Sequence, residues 1–252
     1  RTGIEGDPLS CRQTEKEVIV VHVAVGGEGT YRLQHLAARD EVGRGVEKVS
    51  AKQPQHNPFA LVEQTVRLLA DERLRIGPAL RDLLGTDLDI GIGLETAHRE
   101  ILDRLNKRMT LEDFERAVGF LRHHAIGVRA FVLLRPPFME EQEGVEWAVR
   151  SIEYAFSVGV QCCSVIPTRT GNGALERLHT AGLFDLPTLS SMETVLEAGI
   201  LMDRGRVFMD LWDIERFYEC GRCGPLRRER MHRMNLSQRT VPRVRCDAEA
   251  HR

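Results

Sequence analysis

Cysteine spacing gives this 252-residue chain its clearest chemical signal. Cys220 and Cys223 form a C-x2-C pair, and Cys246 follows after 22 intervening residues. Two thiolates at the first spacing can bind one tetrahedral Zn²⁺ ion together, and Cys246 with His251 would complete its ligands. The sequence therefore predicts a zinc site formed by Cys220, Cys223 and Cys246, with a pair of unmetallated thiols as the alternative.

The segment that contains these cysteines is strongly basic. Residues 222–245 include eight arginines and a single acidic residue, Glu229, which gives the segment a net charge of +7. The whole chain carries a net charge of −2, so the remainder is acidic. A local basic patch is typical of a surface that contacts RNA, although a solvated helix face has the same composition. We therefore expect RNA as a candidate partner.

A second group of polar side chains follows a series of short apolar runs. A carboxylate such as Glu95 accepts hydrogen bonds from hydroxyl or amino groups, and an arginine such as Arg135 binds carboxylate or phosphate through two donors. Glycines of the loop 167–173 can present backbone N–H groups to a ligand. Each feature has a structural alternative: a helix-capping carboxylate, an ion pair and an ordinary connecting loop. The whole group is Glu95, Thr96, Arg135, Thr168, Arg169 and Asn172.

The apolar runs predict the elements that position this second group. Thr110 with Asp113 predicts the start of one helix, and Ser190 with Glu193 predicts the start of another. Strands alternating with helices predict an α/β fold with a parallel sheet, in the form of a full or partial barrel. Because ligands bind at the carboxyl ends of such strands, the candidates should share one edge. The strand-like runs are residues 88–94, 128–134, 160–166 and 206–211.

Residues 1–86 differ from the rest of the chain. They are irregular apart from a β-branched run at 17–25 and a helical spacing that begins at Asn57. The glycines of Gly26-Gly27-Glu28 predict a tight turn after the first run. The sequence thus predicts three parts: an irregular region 1–86, a βα core 87–215 and a small Cys-containing appendage 216–252.

Several motifs, in their order along the chain, resemble one protein superfamily. The segments GLETAHREILDRLNKRMTLEDFERAVGFLR, RAFVLLRPPF and SVIPTRTGNGALE are followed by LWDIERF, CGRC and MNLSQ. Together they are similar to the Elongator-like branch of the radical S-adenosylmethionine superfamily, and especially to its archaeosine-biosynthesis proteins and their bacterial relatives. The resemblance covers residues 74–246.

This resemblance implies a partial (βα) barrel of the radical S-adenosylmethionine type. It implies S-adenosylmethionine and a 4Fe–4S cluster as cofactors, and lyase or transferase chemistry in the modification of a tRNA nucleoside. In the resemblance, the second group of candidates, from Glu95 to Asn172, would bind S-adenosylmethionine, with the loop 167–173 on its adenine side.

The sequence departs from the superfamily at the cluster motif. The superfamily holds its cluster with C-x3-C-x2-C, and residues 1–86 contain Cys11 alone. We expect either a barrel that is incomplete at its N-terminus or a lineage that has lost the cluster, and enzymatic competence stays open in both cases. One alternative is a non-catalytic zinc- and RNA-binding protein on a barrel scaffold. Another is a barrel enzyme that binds a phosphorylated small molecule at Arg135 and the loop 167–173.

Composition excludes several classes of protein. Hydrophobic residues make up 42% of the chain and charged residues 29%, which is typical of a globular protein. No apolar run approaches the roughly 20 residues that span a bilayer. Six cysteines are too few for a fold built on disulfides. We therefore predict a cytoplasmic protein without membrane contact.

Overall fold

Five parallel strands form one sheet in the computed structural model of the chain, which describes residues 19–23, 88–107, 109–171 and 173–246. The strands lie side by side in sequence order, and every neighbouring pair is parallel. Sequential order is typical of a barrel wall, whereas a doubly wound sheet reverses its order near the middle. The predicted α/β fold is confirmed. The strands are β1 (Ile19–Val23), β2 (Leu88–Glu95), β3 (Gly127–Leu134), β4 (Cys162–Pro167) and β5 (Arg206–Met209).

Helices connect the strands from β2 to β5, and one more follows β5. This confirms the predicted alternation of strands and helices. A short 3₁₀ turn (Ile214–Phe217) precedes the last helix. The helices are α1 (Arg99–Arg104), α2 (Leu111–His123), α3 (Glu141–Ser157), α4 (Ala174–Thr180), α5 (Leu189–Leu201) and α6 (Gly224–Ser237).

The two predicted helix starts have different outcomes. The capping box of α2 is present, because the Asp113 N–H donates to Thr110 Oγ1 at 3.1 Å and the Asp113 carboxylate accepts from the Thr110 N–H at 3.0 Å. The predicted cap of α5 was wrong: Thr188, not Ser190, accepts from the N–H of Ser191 at 3.1 Å. Glu193 is buried within the helix instead, where it pairs with arginines of α6.

The two faces of the sheet differ in burial. On β3, alternate residues from Val128 to Leu134 are buried and join the core with Phe114 of α2 and Ile152 of α3. The residues between them, such as Arg129, are half-buried. Because side chains alternate across a strand, the helices pack against one face. One-sided cover by helices is a feature of a barrel wall, so the fold is consistent with a partial barrel.

Helix α6 belongs to the same core as the sheet. Met231 and Met234 of α6 are fully buried in one cluster with Val207 and Met209 of β5. The divisions predicted at residues 86 and 215 stay predictions. Five sequence predictions lie outside the described residues, namely the turn at 26–28, the helical spacing after Asn57, Asn172, Cys11 and His251. Among the described residues, no helix combines the length and the apolar character that a membrane span requires.

Candidate functional site

The carboxyl ends of β2 and β3 both finish on a residue with an unusual backbone. Glu95 ends β2 with φ 63°, and Arg135 follows β3 with φ 52°. A positive φ is uncommon for residues with a Cβ and costs free energy, so it persists only where the surroundings impose it. Such residues concentrate at functional sites. This edge of the sheet is therefore a candidate binding site.

An open cleft of about 420 Å³ lies at this edge, between the ends of β3 and β4 and helix α4. Of the described members of the predicted group, Thr168 and Arg169 line the cleft, and Glu95, Thr96 and Arg135 do not. Asn172 lies outside the described residues. The volume and the mostly apolar walls are those of a small-molecule site. The wall residues are Arg104, Leu105, Leu133, Pro137, Phe138, Ile166, Pro167, Thr168, Arg169, Ala174, Leu175 and Leu178.

The wall includes Arg104 and Phe138, which were not among the site residues predicted from the sequence. The Arg104 guanidinium lies 3.7 Å from the centre of the Phe138 ring, a cation–π contact. Phe138 has φ 75°, and its N–H donates to the carbonyl of Leu183 at 2.8 Å. This hydrogen bond fixes the backbone that carries the ring. An aromatic residue directly after Pro136-Pro137 at a strand end was the available signal.

Arg169 is held firmly at the rim of the cleft. Its Nη1 donates to the Asp210 carboxylate at 2.8 Å, and its Nη2 donates to the carbonyl of Trp212 at 2.6 Å. The preceding residue, Thr168, is buried and donates its hydroxyl to the carbonyl of Leu134 at 2.9 Å. Both predicted residues are thus positioned by the chain itself, and the aliphatic stem of Arg169 is already ordered.

Glu95 and Thr96 form a separate polar group at the end of β2. The Lys107 ammonium donates to Glu95 Oε1 at 2.7 Å, and both side chains are mostly buried. Gly93 leaves the necessary room, because a Cβ there would lie 2.4 Å from that carboxylate oxygen. Thr96 is buried and accepts a hydrogen bond from the N–H of His98 at 3.1 Å. Glu95 is therefore the partner of Lys107 in an ion pair. The residue at the N-cap position of α1 is His98, and its side chain makes no capping hydrogen bond.

Arg135 turns away from the cleft. Its Nη1 donates to Glu141 at 2.6 Å and to the carbonyl of Leu186 at 2.7 Å. The other oxygen of Glu141 accepts from the N–H and the hydroxyl of Thr188, both at 3.0 Å. These contacts join the end of β3 to the starts of α3 and α5. The geometry favours the structural ion pair that the sequence left as an alternative.

The three cysteines of the predicted zinc site converge. The Sγ atoms of Cys220, Cys223 and Cys246 all lie within 4.8 Å of one another. A tetrahedral ion with bonds of about 2.3 Å to sulfur separates its sulfur ligands by about 3.8 Å, so small adjustments suffice to bind Zn²⁺. The donor set therefore fits a zinc ion. Cys162 and Cys163 are buried in β4, apart from this group.

The thiols of this group differ in acidity. Hydrogen bonds from the backbone N–H groups of Cys223 and Arg222 lower the pKa of Cys220 to about 7. Burial, together with hydrogen bonding to Cys246 and Cys220, raises the pKa of Cys223 to about 12. One thiolate is thus available near neutral pH, and a metal ion would displace the remaining protons as it binds.

The residues present do not fit a 4Fe–4S cluster of the superfamily type. The sequence contains no C-x3-C-x2-C segment. The three clustered cysteines lie on the segment after the sheet rather than on a loop that follows an early strand, and their sulfurs are close enough for a single ion.

The basic segment is less exposed than its composition predicts. Arg227 and Arg230 are buried against Glu193, and Arg243 pairs with Glu197 at 2.7 Å. These three arginines tie α6 and the residues that follow it to α5, and Arg227 and Arg230 are too deeply buried to meet RNA. The arginines of this segment that face solvent are Arg222, Arg228, Arg233, Arg239, Arg243 and Arg245.

No family model matches this chain. It is similar to an uncharacterized protein of Methanocaldococcus jannaschii, with 26% identity over 68% of this chain and 49% of that protein. Archaeosine synthase subunit beta of Methanosarcina acetivorans is 28% identical over 54% of this chain and 39% of that protein. The same subunit from Thermococcus kodakarensis is 38% identical over 25% of this chain and 20% of that protein.

The chain thus spans at most about half the length of these relatives. Among solved structures, HMG-CoA lyase from Brucella melitensis gives a TM-score of 0.30 at 15% identity, over 48% of this chain and 38% of that one, a likeness too low to carry an argument. The sequence matches relate the chain to proteins named archaeosine synthase subunit beta.

Proposed function

We propose that this chain binds S-adenosylmethionine in the cleft beside β3 and β4 and acts in the modification of a tRNA nucleoside. The observation that carries the proposal is the cleft itself, a nucleoside-sized site at the carboxyl edge of a parallel sheet. The similarity to archaeosine synthase subunit beta supports the reaction class, and the resemblance noted from the sequence supports the cofactor.

The residues around the cleft suit the parts of this cofactor. Phe138 offers an aromatic surface for adenine, and the leucines on α4 close the opposite side. Lys107 lies two residues after the wall residue Leu105 and pairs with Glu95. This pair of opposite charges lies outside the cleft wall and would suit the carboxylate and amino groups of the methionine part. When bound, S-adenosylmethionine supplies a sulfonium centre whose carbon–sulfur bonds are activated toward cleavage. This chain's residues bind and orient it, and no radical step follows from them.

Calorimetric titration with S-adenosylmethionine tests the cleft. Ala174→Phe would fill it from the exposed surface of α4, and Arg177→Phe adds the same ring to the same helix at a position outside the wall. We expect Ala174→Phe to weaken binding about tenfold or more, and Arg177→Phe to bind as the unmodified chain does. Equal binding by both variants would place the cofactor elsewhere, and no heat up to about 1 mM ligand would refute the proposal.

Filter binding with tRNA tests the partner. Charge removal at the exposed arginines Arg228 and Arg233 of α6 should weaken binding and reduce its dependence on salt concentration. Arg204 is an exposed arginine in the turn before β5 and provides the matched control. We expect the single variants Arg228→Gln and Arg233→Gln each to bind tRNA more weakly than Arg204→Gln does. Identical affinities and salt slopes would remove α6 from the RNA surface.

The thiol cluster favours a second candidate function, a non-catalytic zinc- and RNA-binding protein. The observation behind it is that the chain's converging cysteines fit one zinc ion, whereas the cluster motif of the superfamily is missing. Zinc near one equivalent per chain, with tRNA binding but no calorimetric signal for S-adenosylmethionine, would select this function over the first.

A further inference from the structure

Trp212 stands out on the described surface of the molecule. Its side chain is 71% exposed, and the other large apolar residues of the described part with comparable exposure are leucines. An indole ring exposes a large apolar area together with one N–H donor, and tryptophan is enriched at recognition surfaces. Trp147, the second tryptophan of the chain, has a different environment, since it packs at a tilt against His98, with ring centres 4.4 Å apart, and contacts the Arg150 guanidinium.

The backbone of Trp212 is fixed on both sides. Its N–H donates to Asp210 Oδ1 at 3.0 Å, and its carbonyl accepts from Arg169 Nη2 at 2.6 Å. Asp210 is itself tied to the sheet, because its N–H donates to the carbonyl of Val165 at 2.8 Å. An exposed ring on a fixed backbone loses little conformational freedom when a ligand stacks on it.

The surroundings of Trp212 favour a nucleobase over a protein partner. The nearby side chains are charged and mutually paired, with Asp213 against Arg216 and Glu215 against Arg228. The core of a protein interface is depleted of charged residues, whereas base-stacking platforms combine an aromatic ring with arginines. Arg169 supplies that arginine, with its guanidinium 5.6 Å from the indole centre.

Arg169 also connects the ring to the cleft. It lines the cleft wall and hydrogen-bonds to Trp212, so the indole lies beside the place where the cofactor is proposed to bind. Sequence-specific recognition of RNA uses unpaired bases that stack on aromatic side chains. We propose that Trp212 is a stacking platform for an unpaired nucleobase of the RNA substrate, beside the cofactor cleft. This inference rests on the proposed function and names how its substrate is held.

Fluorescence tests the platform directly, because the chain has two tryptophans and Trp147→Phe leaves Trp212 as the single reporter. Titration of this variant with an unstructured single-stranded RNA of about 12 nucleotides should quench the emission of Trp212 until binding saturates. The bound RNA should also protect the indole ring from quenching by acrylamide. A fully paired RNA duplex of the same length should quench less. If the filter assay shows that this variant binds the RNA but its fluorescence is not quenched, the inference is overturned.

Filter binding of the unmodified chain and Trp212→Ala gives a second measurement that does not need the reporter variant. Loss of one stacked base should weaken binding of single-stranded RNA about 5- to 150-fold, with Trp212→Phe in between. Calorimetric binding of S-adenosylmethionine should be retained in both variants, since the indole is outside the cleft wall.

The remaining outcomes separate this inference from the proposed function. Unchanged RNA affinity in Trp212→Ala overturns the platform and leaves the proposed function standing. Unchanged RNA affinity with lost self-association in sedimentation assigns Trp212 to a protein interface and also overturns the platform. No RNA binding by the unmodified chain overturns both the platform and the RNA part of the proposed function, while cofactor binding is judged by calorimetry alone.

Discussion

The side-chain amide of Asn235 pairs with both backbone groups of Met209, as a neighbouring strand would. Asn235 Nδ2 donates to the Met209 carbonyl at 2.8 Å, and Asn235 Oδ1 accepts from the Met209 N–H at 2.9 Å. Gln238 repeats the arrangement on Val207, at 2.9 Å and 2.8 Å. Two amides of the MNLSQ segment thus satisfy the outer edge of β5, and an edge closed in this way does not recruit a further strand.

Replacement of Asn235 by leucine should therefore destabilise the fold. The side chain branches in the same way, but both the N–H and the carbonyl of Met209 lose their partners, and each unsatisfied backbone group costs about 1–3 kcal/mol. We expect the free energy of unfolding in urea to fall by about 2 kcal/mol or more, with more aggregation on refolding because the edge is open. Ser237→Ala, an exposed change on the same helix, should have little effect. Equal stability of the two variants would mean that water replaces the amide.

Glu193 should be among the most sensitive charged residues of the core. It is 2% exposed and lies between Arg227, at 2.8 Å, and Arg230, at 3.0 Å. Glu193→Ala leaves two buried cations without this carboxylate, and the loss of one partner from a buried ion pair costs about 3–5 kcal/mol. Urea unfolding measures the loss.

The matched control for Glu193 is Glu215. Its contact with Arg228 is 3.9 Å long, and both side chains are exposed. Exposed pairs contribute about 0–1 kcal/mol, so Glu215→Ala should unfold close to the unmodified chain. A similar loss of unfolding free energy in both variants would show that the buried ion pairs of Glu193 stabilise the fold no more than the exposed pair of Glu215 does.

Glu197 should make the fold sensitive to acid. Burial by itself raises the pKa of Glu197, but hydrogen bonds from Arg243 and Arg230 outweigh it and hold that pKa below the ordinary 4.5. A carboxyl whose folded-state pKa is depressed stabilises the fold above its unfolded pKa, and the contribution is lost as the pH falls through the folded-state pKa. Urea unfolding of Glu197→Gln should therefore depend less on pH below about 4.5 than unfolding of the unmodified chain.

The control for Glu197 is Glu153→Gln, which removes an exposed carboxylate of α3. This variant should keep the acid dependence of the unmodified chain. If Glu197→Gln loses stability in acid as steeply as Glu153→Gln does, the contacts of Arg230 and Arg243 with Glu197 do not lower its pKa in the dissolved protein.

Local patterns were enough to predict the elements of the fold and the proximity of Cys220 to Cys223. The capping box at Thr110 and the alternation of apolar runs depend on neighbours within a few residues, and the structure follows them. Cys220 and Cys223 share one turn, so their proximity was built into the spacing.

The partners of charged residues could not be read in the same way. Arg135, Arg227 and Arg230 cannot be told from exposed arginines in the sequence, because each pairs with a helix carboxylate 6 to 37 positions away. Phe138 and Trp212 became candidates only once the fold placed them at the edge of the sheet, where Phe138 lines the cleft and Trp212 lies near Arg169. Composition therefore overestimated the basic surface, and the walls of the cleft were found only in the structure.

Zinc content is the most direct check of the thiol cluster. The unmodified chain, purified with zinc present, should carry about one zinc per chain, because three thiolates and one further ligand form a tetrahedral site. Cys220→Ser, Cys223→Ser and Cys246→Ser should each lower that content, and a strong chelator should lower the Tm of the unmodified chain. Cys162→Ala removes a buried thiol that lies in β4, so it should keep its zinc. Full zinc occupancy in a variant with all three cysteines replaced would locate the metal elsewhere and remove the reason for their convergence.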